Sequence, residues 1–230
     1  MKLVLKNTKL VFAGIPAPTE KEFMKGTSDS NTGILVPNLY FGDGYSYETS
    51  FVLEAPTNVH VAGSIFGKTA SQDVQFGVSS SSKTGGSTNI NVKFGVDAIT
   101  KRDIQVIGAV SFSATSGTQD CIIKATKTNV TTIVNGASPT SFEYNNPTTN
   151  VIYGLCDYRI MQYWGTDTED GGTGADFAHF RYLKIFDANN DLANYFVPAV
   201  DYQGRPCLYD KVNNSCYYAD NDSYISCYNS

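Results

Sequence analysis

Apolar residues recur at every second position along this chain, in short runs each closed by Gly, Pro, Asn or Asp. No window of ten or more residues places apolar side chains at i, i+3, i+4 and i+7, the stripe a half-buried helix requires. Alternation of period two sends successive side chains to opposite faces of a strand, so the chain is predicted to be all-β. The expected strands span 3–12, 45–54, 60–67, 73–79, 89–95, 103–112, 120–127, 130–135, 151–156, 160–165, 178–186, 192–199, 207–209 and 216–218. Turn chemistry supports the connections. Asp187-Ala188-Asn189-Asn190-Asp191 predicts a hairpin because Asn tolerates the left-handed backbone of a tight reversal, and Asn135-Gly136 predicts another. Asp201-Tyr202-Gln203-Gly204 reverses the chain ahead of Arg205-Pro206, and the stretch from Ser79 to Ser87, with Gly85-Gly86 inside it, reads as a polar loop. More than ten short strands exceed an immunoglobulin sandwich and suit a two-sheet antiparallel jelly-roll sandwich.

Composition narrows the function classes. The 230 residues are 41% hydrophobic and 17% charged, too apolar for a disordered chain and long enough to bury a sizeable core. Fifteen Tyr and 13 Phe suit pleated, half-buried surfaces. A net charge of −5 supplies no basic field for phosphate backbones, so nucleic acid is not an expected partner. Membrane is not expected either, because runs such as Val106 to Val110 fall far short of the ~20 apolar residues that cross a bilayer.

The first apolar run stops at Lys6, well short of the about 7 to 15 residues of a secretory signal, so cytoplasmic synthesis without a signal peptide is expected. Five cysteines (Cys121, Cys156, Cys207, Cys216, Cys227) form no Cys-x-x-Cys pair, and the only histidines are His60 and His179. Free thiols are therefore expected rather than a disulfide framework or a zinc site, although Cys207 and Cys216 flank a turn and could pair under oxidant.

Gly14-Ile15-Pro16-Ala17-Pro18 marks a boundary, since two prolines so close favour an extended spacer. The expected organisation is an N-terminal docking arm and linker over 1–18 and a jelly-roll domain over 19–230. The bland alternative is that the first residues are an edge strand of the sandwich. If 3–12 is one continuous strand, Val4, Leu10 and Phe12 share a face and Leu3 and Leu5 the other. Two apolar faces suit docking between partners or strand addition.

The C-terminal third carries a resemblance. Phe180-Arg181-Tyr182-Leu183-Lys184-Ile185-Phe186-Asp187, Asn194-Tyr195-Phe196-Val197-Pro198-Ala199, Gly204-Arg205-Pro206-Cys207-Leu208-Tyr209-Asp210-Lys211-Val212 and Cys216-Tyr217-Tyr218 together resemble the closing block of concanavalin A-like (laminin G-like) jelly-roll modules. Such modules are widespread in gut bacteria and their tailed phages, crAss-like phages included. Weaker echoes are Phe23-Met24-Lys25-Gly26-Thr27 with Thr32-Gly33-Ile34 for the opening strand, Ile65-Phe66-Gly67, and Val134-Asn135-Gly136 for a central hairpin. The resemblance covers roughly residues 20 to 220. Where the family usually carries Arg-Asp before Phe-x-Pro, this chain has Asn194-Tyr195, so a charge pair made there by relatives is absent. The resemblance implies a non-enzymatic binding or structural module: a phage virion component (head fibre, capsid decoration or tail-associated protein) docked on other virion proteins through the arm, homo-oligomeric as fibres are. The alternative is a bacterial carbohydrate-binding or adhesion module for host or mucosal glycans.

Candidate chemistry is sparse. A jelly-roll glycoside hydrolase needs two carboxyl groups about 5 to 9.5 Å apart across a cleft. Glu20 and Glu22 would share a strand face but follow the Pro-rich spacer, where solvent is expected, and no nucleophile motif accompanies the histidines; no catalytic residue is assigned. Asp167, Glu169, Asp170 and Asp176, on the glycine-rich 166–176 segment, could offer oxygen ligands to Ca²⁺, although the spacing is not that of an EF-hand and a solvated acidic loop is the preferred reading. No other cofactor is expected. Tyr158, Tyr163 and Trp164, just before that loop, suit stacking on a sugar ring, and Tyr40-Phe41-Gly42-Asp43-Gly44-Tyr45 is a comparable aromatic turn with less to support it.

Overall fold

The computed structural model describes residues 4–6, 9–11, 16–26, 33–54, 63–68, 76–83, 87–113, 115–163, 178–219, 222 and 225–230. In chain order the strands are β1 (Val4–Lys6), β2 (Lys9–Val11), β3 (Thr19–Glu20), β4 (Phe23–Gly26), β5 (Ile34–Phe41), β6 (Ser46–Leu53), β7 (Gly63–Lys68), β8 (Phe76–Lys83), β9 (Ser87–Val96) and β10 (Asp103–Ser113). They continue as β11 (Gln119–Ala125), β12 (Asn129–Val134), β13 (Thr140–Glu143), β14 (Gly154–Tyr163), β15 (Ala178–Phe186), β16 (Leu192–Val200), β17 (Pro206–Asp210), β18 (Ser215–Tyr217) and β19 (Ile225–Tyr228). All pairings are antiparallel. One sheet runs β10-β9-β8-β7-β14-β5; the larger runs β13-β12-β11-β6-β15-β16-β17-β18, with β3 on β16 and β4 joining β15 to β19. The chain is a two-sheet jelly-roll sandwich.

The two inner faces meet in an aromatic core. Phe41, Tyr158, Phe76 and Phe94 from the smaller sheet pack with Tyr47, Phe51, Phe180 and Phe196 from the larger. Phe41 stacks on Phe76 with centroids 4.3 Å apart, and Phe76 meets Phe94 edge-on at 5.0 Å. A buried phenol needs a partner. Tyr47, on the larger sheet, sets its hydroxyl 2.8 Å from Lys93 O and 3.1 Å from Gly77 O, both on the smaller sheet, so one donor ties the layers together.

Several turns form as their chemistry predicts. Asn135 and Gly136 both take positive φ (51° and 69°) in the reversal from β12 to β13, and Asn190 (65°) closes the β15–β16 hairpin. Four expectations change. Residues 151–156 and 160–165 are largely one strand, β14, because the register shift between Cys156 and Tyr158 absorbs the irregularity rather than ending the strand. The facing strand β5 was not expected at all: Pro37-Asn38 looks like a turn, yet it forms a bulge on the edge strand, where Pro costs no ladder hydrogen bond and Asn38 takes φ 55°. Ser80, Ser81 and Ser82, read as loop, pair with Ile90, Asn89 and Thr88, since a ladder needs only backbone groups. Finally, residues 3–12 are not one strand. β1 and β2 pair with each other, Val4 opposite Val11 and Leu5 opposite Leu10, as a separate two-stranded sheet. Val4 and Leu10 therefore do not share a continuous strand face, and Phe12 lies outside the described residues.

Two carboxylates pin loops beside the core. The Asp97 carboxylate accepts from the Thr100 and Ile99 backbone N–H groups and from the Thr100 and Thr148 hydroxyls, which hold it at about 2. At Asp201, burial opposes ionisation, but hydrogen bonds from the Arg205 backbone and guanidinium, Gln203 and Tyr218 outweigh it and also hold the group at about 2. A carboxyl depressed by folding stabilises the native state fully above its unfolded value near 4 and loses that contribution as pH falls towards 2. Thermal melts should therefore show stability falling between about pH 4 and pH 2, with a shallower fall in Asp201→Asn. An acid limb of equal depth in that variant would remove Asp201 from the explanation.

Candidate functional site

The residues singled out for sugar stacking do not assemble. Tyr158 is fully buried: its ring packs on Phe41, and its hydroxyl accepts the Phe76 N–H at 3.0 Å. Burial pushes its phenol well above the usual range. It is a core residue and cannot stack on a ligand, because an alternating strand buries every second side chain and Tyr158 falls on the inner set. The side chain of Tyr163 and the whole of Trp164, Asp167, Glu169, Asp170 and Asp176 lie outside the described residues, as does His60. Among the described residues no group of three or more His, Cys, Asp or Glu is arranged to hold a metal. Glu20 pairs with Lys211 Nζ at 2.7 Å, and Glu22 accepts from the Ser230 hydroxyl at 2.6 Å, so both carboxylates are tied down at the surface. His179 faces the Tyr228 hydroxyl through Nδ1, while its Nε2 lies 2.9 Å from Glu54 Oε1 without hydrogen-bond alignment.

The aromatic turn between β5 and β6 is the feature that the fold builds up. Tyr45 N–H donates to Gly42 O at 3.2 Å, and Gly44 takes φ +77° to close the reversal. Gly42 sits between two rings: an added Cβ would lie 2.9 Å from Tyr40 Cε1 and 3.0 Å from Tyr45 Cε1. Absence of a side chain there lets Tyr40 and Tyr45 meet edge-on, centroids 5.5 Å apart. Tyr40 remains 49% exposed, and opposite it across the β5–β14 ladder stands Leu155, 62% exposed. An adjacent exposed ring and aliphatic side chain make an apolar step at the edge of the smaller sheet.

Polar groups converge on the same corner from distant loops. Asp43 Oδ1 accepts from Lys127 Nζ at 2.8 Å, from the Tyr153 hydroxyl at 3.0 Å and from Gly44 N–H at 3.0 Å. Lys127 and Tyr153 hold the Asp43 carboxyl below the usual carboxylate range, so it is an anion at neutral pH. Tyr153 is pushed up by burial and by its bond to Asp43; Tyr45 is pushed up by burial and by nearby Asp187. A Cβ on Gly44 would meet Ala188 Cβ at 2.9 Å, which places the β15–β16 turn against this one. Four connections thus meet here: β5–β6, β11–β12 through Lys127, β13–β14 through Tyr153, and β15–β16 through Ala188. Lys127, Tyr153 and Leu155 carry no linear signal, since only the closing of the sandwich brings them to Asp43 and Tyr40.

No family model matches this sequence, and no curated protein matches it either. Among solved structures it is similar to domains LG4-5 of the mouse laminin α1 chain, at 12% identity and a TM-score of 0.46, covering 88% of this chain and 49% of that one. The chain thus spans about half the length of the laminin chain it matches. It is also similar to the heptameric SAP-like pentraxin of Limulus polyphemus, at 16% identity, TM-score 0.36, covering 75% and 74% of the two chains. A third likeness is to the CBM40 of the Ruminococcus gnavus IT-sialidase bound to α2,3 sialyllactose, at 11% identity, TM-score 0.36, covering 77% and 91%. The jelly-roll architecture itself is defined by the strand order and register above.

Proposed function

We propose that this domain is a non-catalytic carbohydrate-binding module whose ligand docks on the Tyr40–Leu155 corner. The observation that carries this reading is an exposed tyrosine, braced by a second ring, beside an anionic carboxylate and a lysine on rigid turns. A sugar presents an apolar C–H face rimmed by hydroxyl groups; the face suits Tyr40 and Leu155, and the hydroxyls suit Asp43 and Lys127. Because Tyr40 is already held against Tyr45, little rotamer freedom is lost on binding.

A glycan array followed by calorimetry tests it. Tyr40→Ala should weaken binding by about tenfold or more, as loss of an aromatic anchor does, and Asp43→Asn should weaken it without altering the melting transition by more than a few degrees. Absence of binding by the unaltered protein, or full affinity in Tyr40→Ala, would overturn the proposal.

The setting implied by the closing-block resemblance is a phage virion component that docks on other virion proteins through its N-terminal residues. Mass spectrometry of purified particles tests the setting, and absence of the chain from them would remove it.

A further inference from the structure

Charge on the corner around Tyr40 is lopsided. The connections that meet there are residues 42–45, 126–128, 144–153 and 187–191, and their charged residues are Asp43, Lys127, Asp187 and Asp191. One ammonium is set against three carboxylates, and it is already engaged: Lys127 Nζ lies 2.8 Å from Asp43 Oδ1. The Asp43 side chain remains 69% exposed and Asp191 is exposed, so neither is withdrawn from an arriving ligand. Asp187 lies on the β15–β16 turn, whose Ala188 abuts Gly44, and its charge is felt at Tyr45. Resting on the reading of this corner as a sugar site, we propose that it selects non-acidic pyranosides and excludes sialylated, uronate-bearing and sulfated glycans, with Asp43, Asp187 and Asp191 as the excluding charges.

Hydrogen-bond valence and charge point the same way. Asp43 Oδ1 accepts from Lys127, Tyr153 and Gly44, whereas no donor among the described residues reaches Oδ2. Lys127 Nζ gives one proton to Asp43 and keeps two. One ring hydroxyl can therefore donate to Oδ2 while its neighbour accepts from Nζ. A carboxylate or sulfate has no proton for Oδ2, and it reaches Nζ only by coming beside Asp43, whose anion already offsets that ammonium. Asp187 does not swing away, because its Oδ1 accepts the Asn189 and Asp191 N–H groups, both at 2.9 Å, and this fixes the carboxylate in its turn. Like charges a few ångströms apart at a surface repel enough to lower affinity by on the order of tenfold. An amine-bearing sugar meets the opposite sign and can also face the Tyr40 ring.

The test is calorimetric titration of the full chain with matched methyl glucosides and galactosides that carry a hydroxymethyl, aminomethyl or carboxylate group on the ring. An array in which each neutral glycan has sialylated and sulfated counterparts accompanies it. The amine should bind at least as tightly as the neutral sugar, and the carboxylate about tenfold or more weakly in about 50 mM salt, with the gap closing in about 1 M salt. Asp187→Asn, which keeps the Oδ1 acceptor of the turn, combined with Asp191→Asn should narrow the neutral-to-acidic ratio by about threefold or more without moving the melting transition by more than a few degrees. Asp43→Asn should narrow or reverse the ratio, because Lys127 is then left without its anion. Acidic members binding as well as neutral ones, or a ratio unmoved by salt and by the paired substitution, would overturn the selectivity while leaving the sugar site standing. Absence of binding by every member, in solution and on the array, would remove both.

Discussion

Asp210→Ala is expected to cost the fold about 4 kcal/mol, near the upper end for one substitution. Asp210 is fully buried, and no cation among the described residues pairs with it. Its two oxygens instead accept from Asn194 Nδ2 at 2.8 Å, Asn213 Nδ2 at 2.6 Å, and the backbone N–H groups of Tyr195 (3.2 Å), Val212 (3.1 Å) and Asn213 (3.4 Å). One side chain therefore ties β16 to the turn between β17 and β18. Removing it leaves the half-buried Tyr195 N–H and Asn194 amide without this acceptor and opens a space where the buried carboxylate stood, whereas Val212 and Asn213 are exposed and recover water. Asn194→Ala should cost less, about 1–2 kcal/mol, because the other donors keep Asp210 in place. Chemical denaturation of the three proteins decides the matter: an Asp210→Ala loss below about 1 kcal/mol would mean that this carboxylate is not the hub.

The same contact gives a role to Asn194, which departs from the pattern of the resemblance. Asn194 stands where the resemblance leads one to expect arginine, and its amide reaches the buried Asp210. Neutral donors alone hold Asp210, an arrangement that linear pattern cannot reveal because four of the five donors are backbone or turn groups.

Legibility followed locality. Asn135-Gly136 and the 187–191 reversal could be read directly, since a turn residue announces the φ it must adopt. The edge strand β5 could not, because Pro37-Asn38 has the composition of a turn and becomes a bulge only through pairing with β14. Tyr158 was misassigned for a related reason. Side-chain chemistry is identical for a core tyrosine and a ligand-binding one, and only the register decides which face receives it. Conversely, the 40–45 turn carried a weak linear signal that gained content from Lys127 and Tyr153, the latter 110 residues from Asp43. Two-sheet architecture is thus accessible from periodicity, whereas a site assembled from four connections is a property of the closed sandwich.

Phe41→Ala should remove about 3–5 kcal/mol of stability and disorder the proposed ligand corner at the same time. Phe41 is fully buried between the sheets, stacked on Phe76 and in contact with Tyr45, Tyr47 and Tyr158. Its two chain neighbours are Tyr40 and Gly42, so the ring anchors the exposed tyrosine and the turn to the aromatic core. Truncation leaves a cavity lined by rings that cannot collapse freely, since Tyr47 and Tyr158 are held by hydrogen bonds to backbone groups of the smaller sheet. Phe41→Leu fills most of that volume and should cost less than half as much while preserving the turn. The pair separates packing from recognition. If Phe41→Leu retains glycan affinity while Phe41→Ala loses it at a temperature where both are folded, Phe41 acts by positioning Tyr40. Equal affinity in all three proteins would show that the corner is held by its own hydrogen bonds around Asp43, independently of the core beneath it.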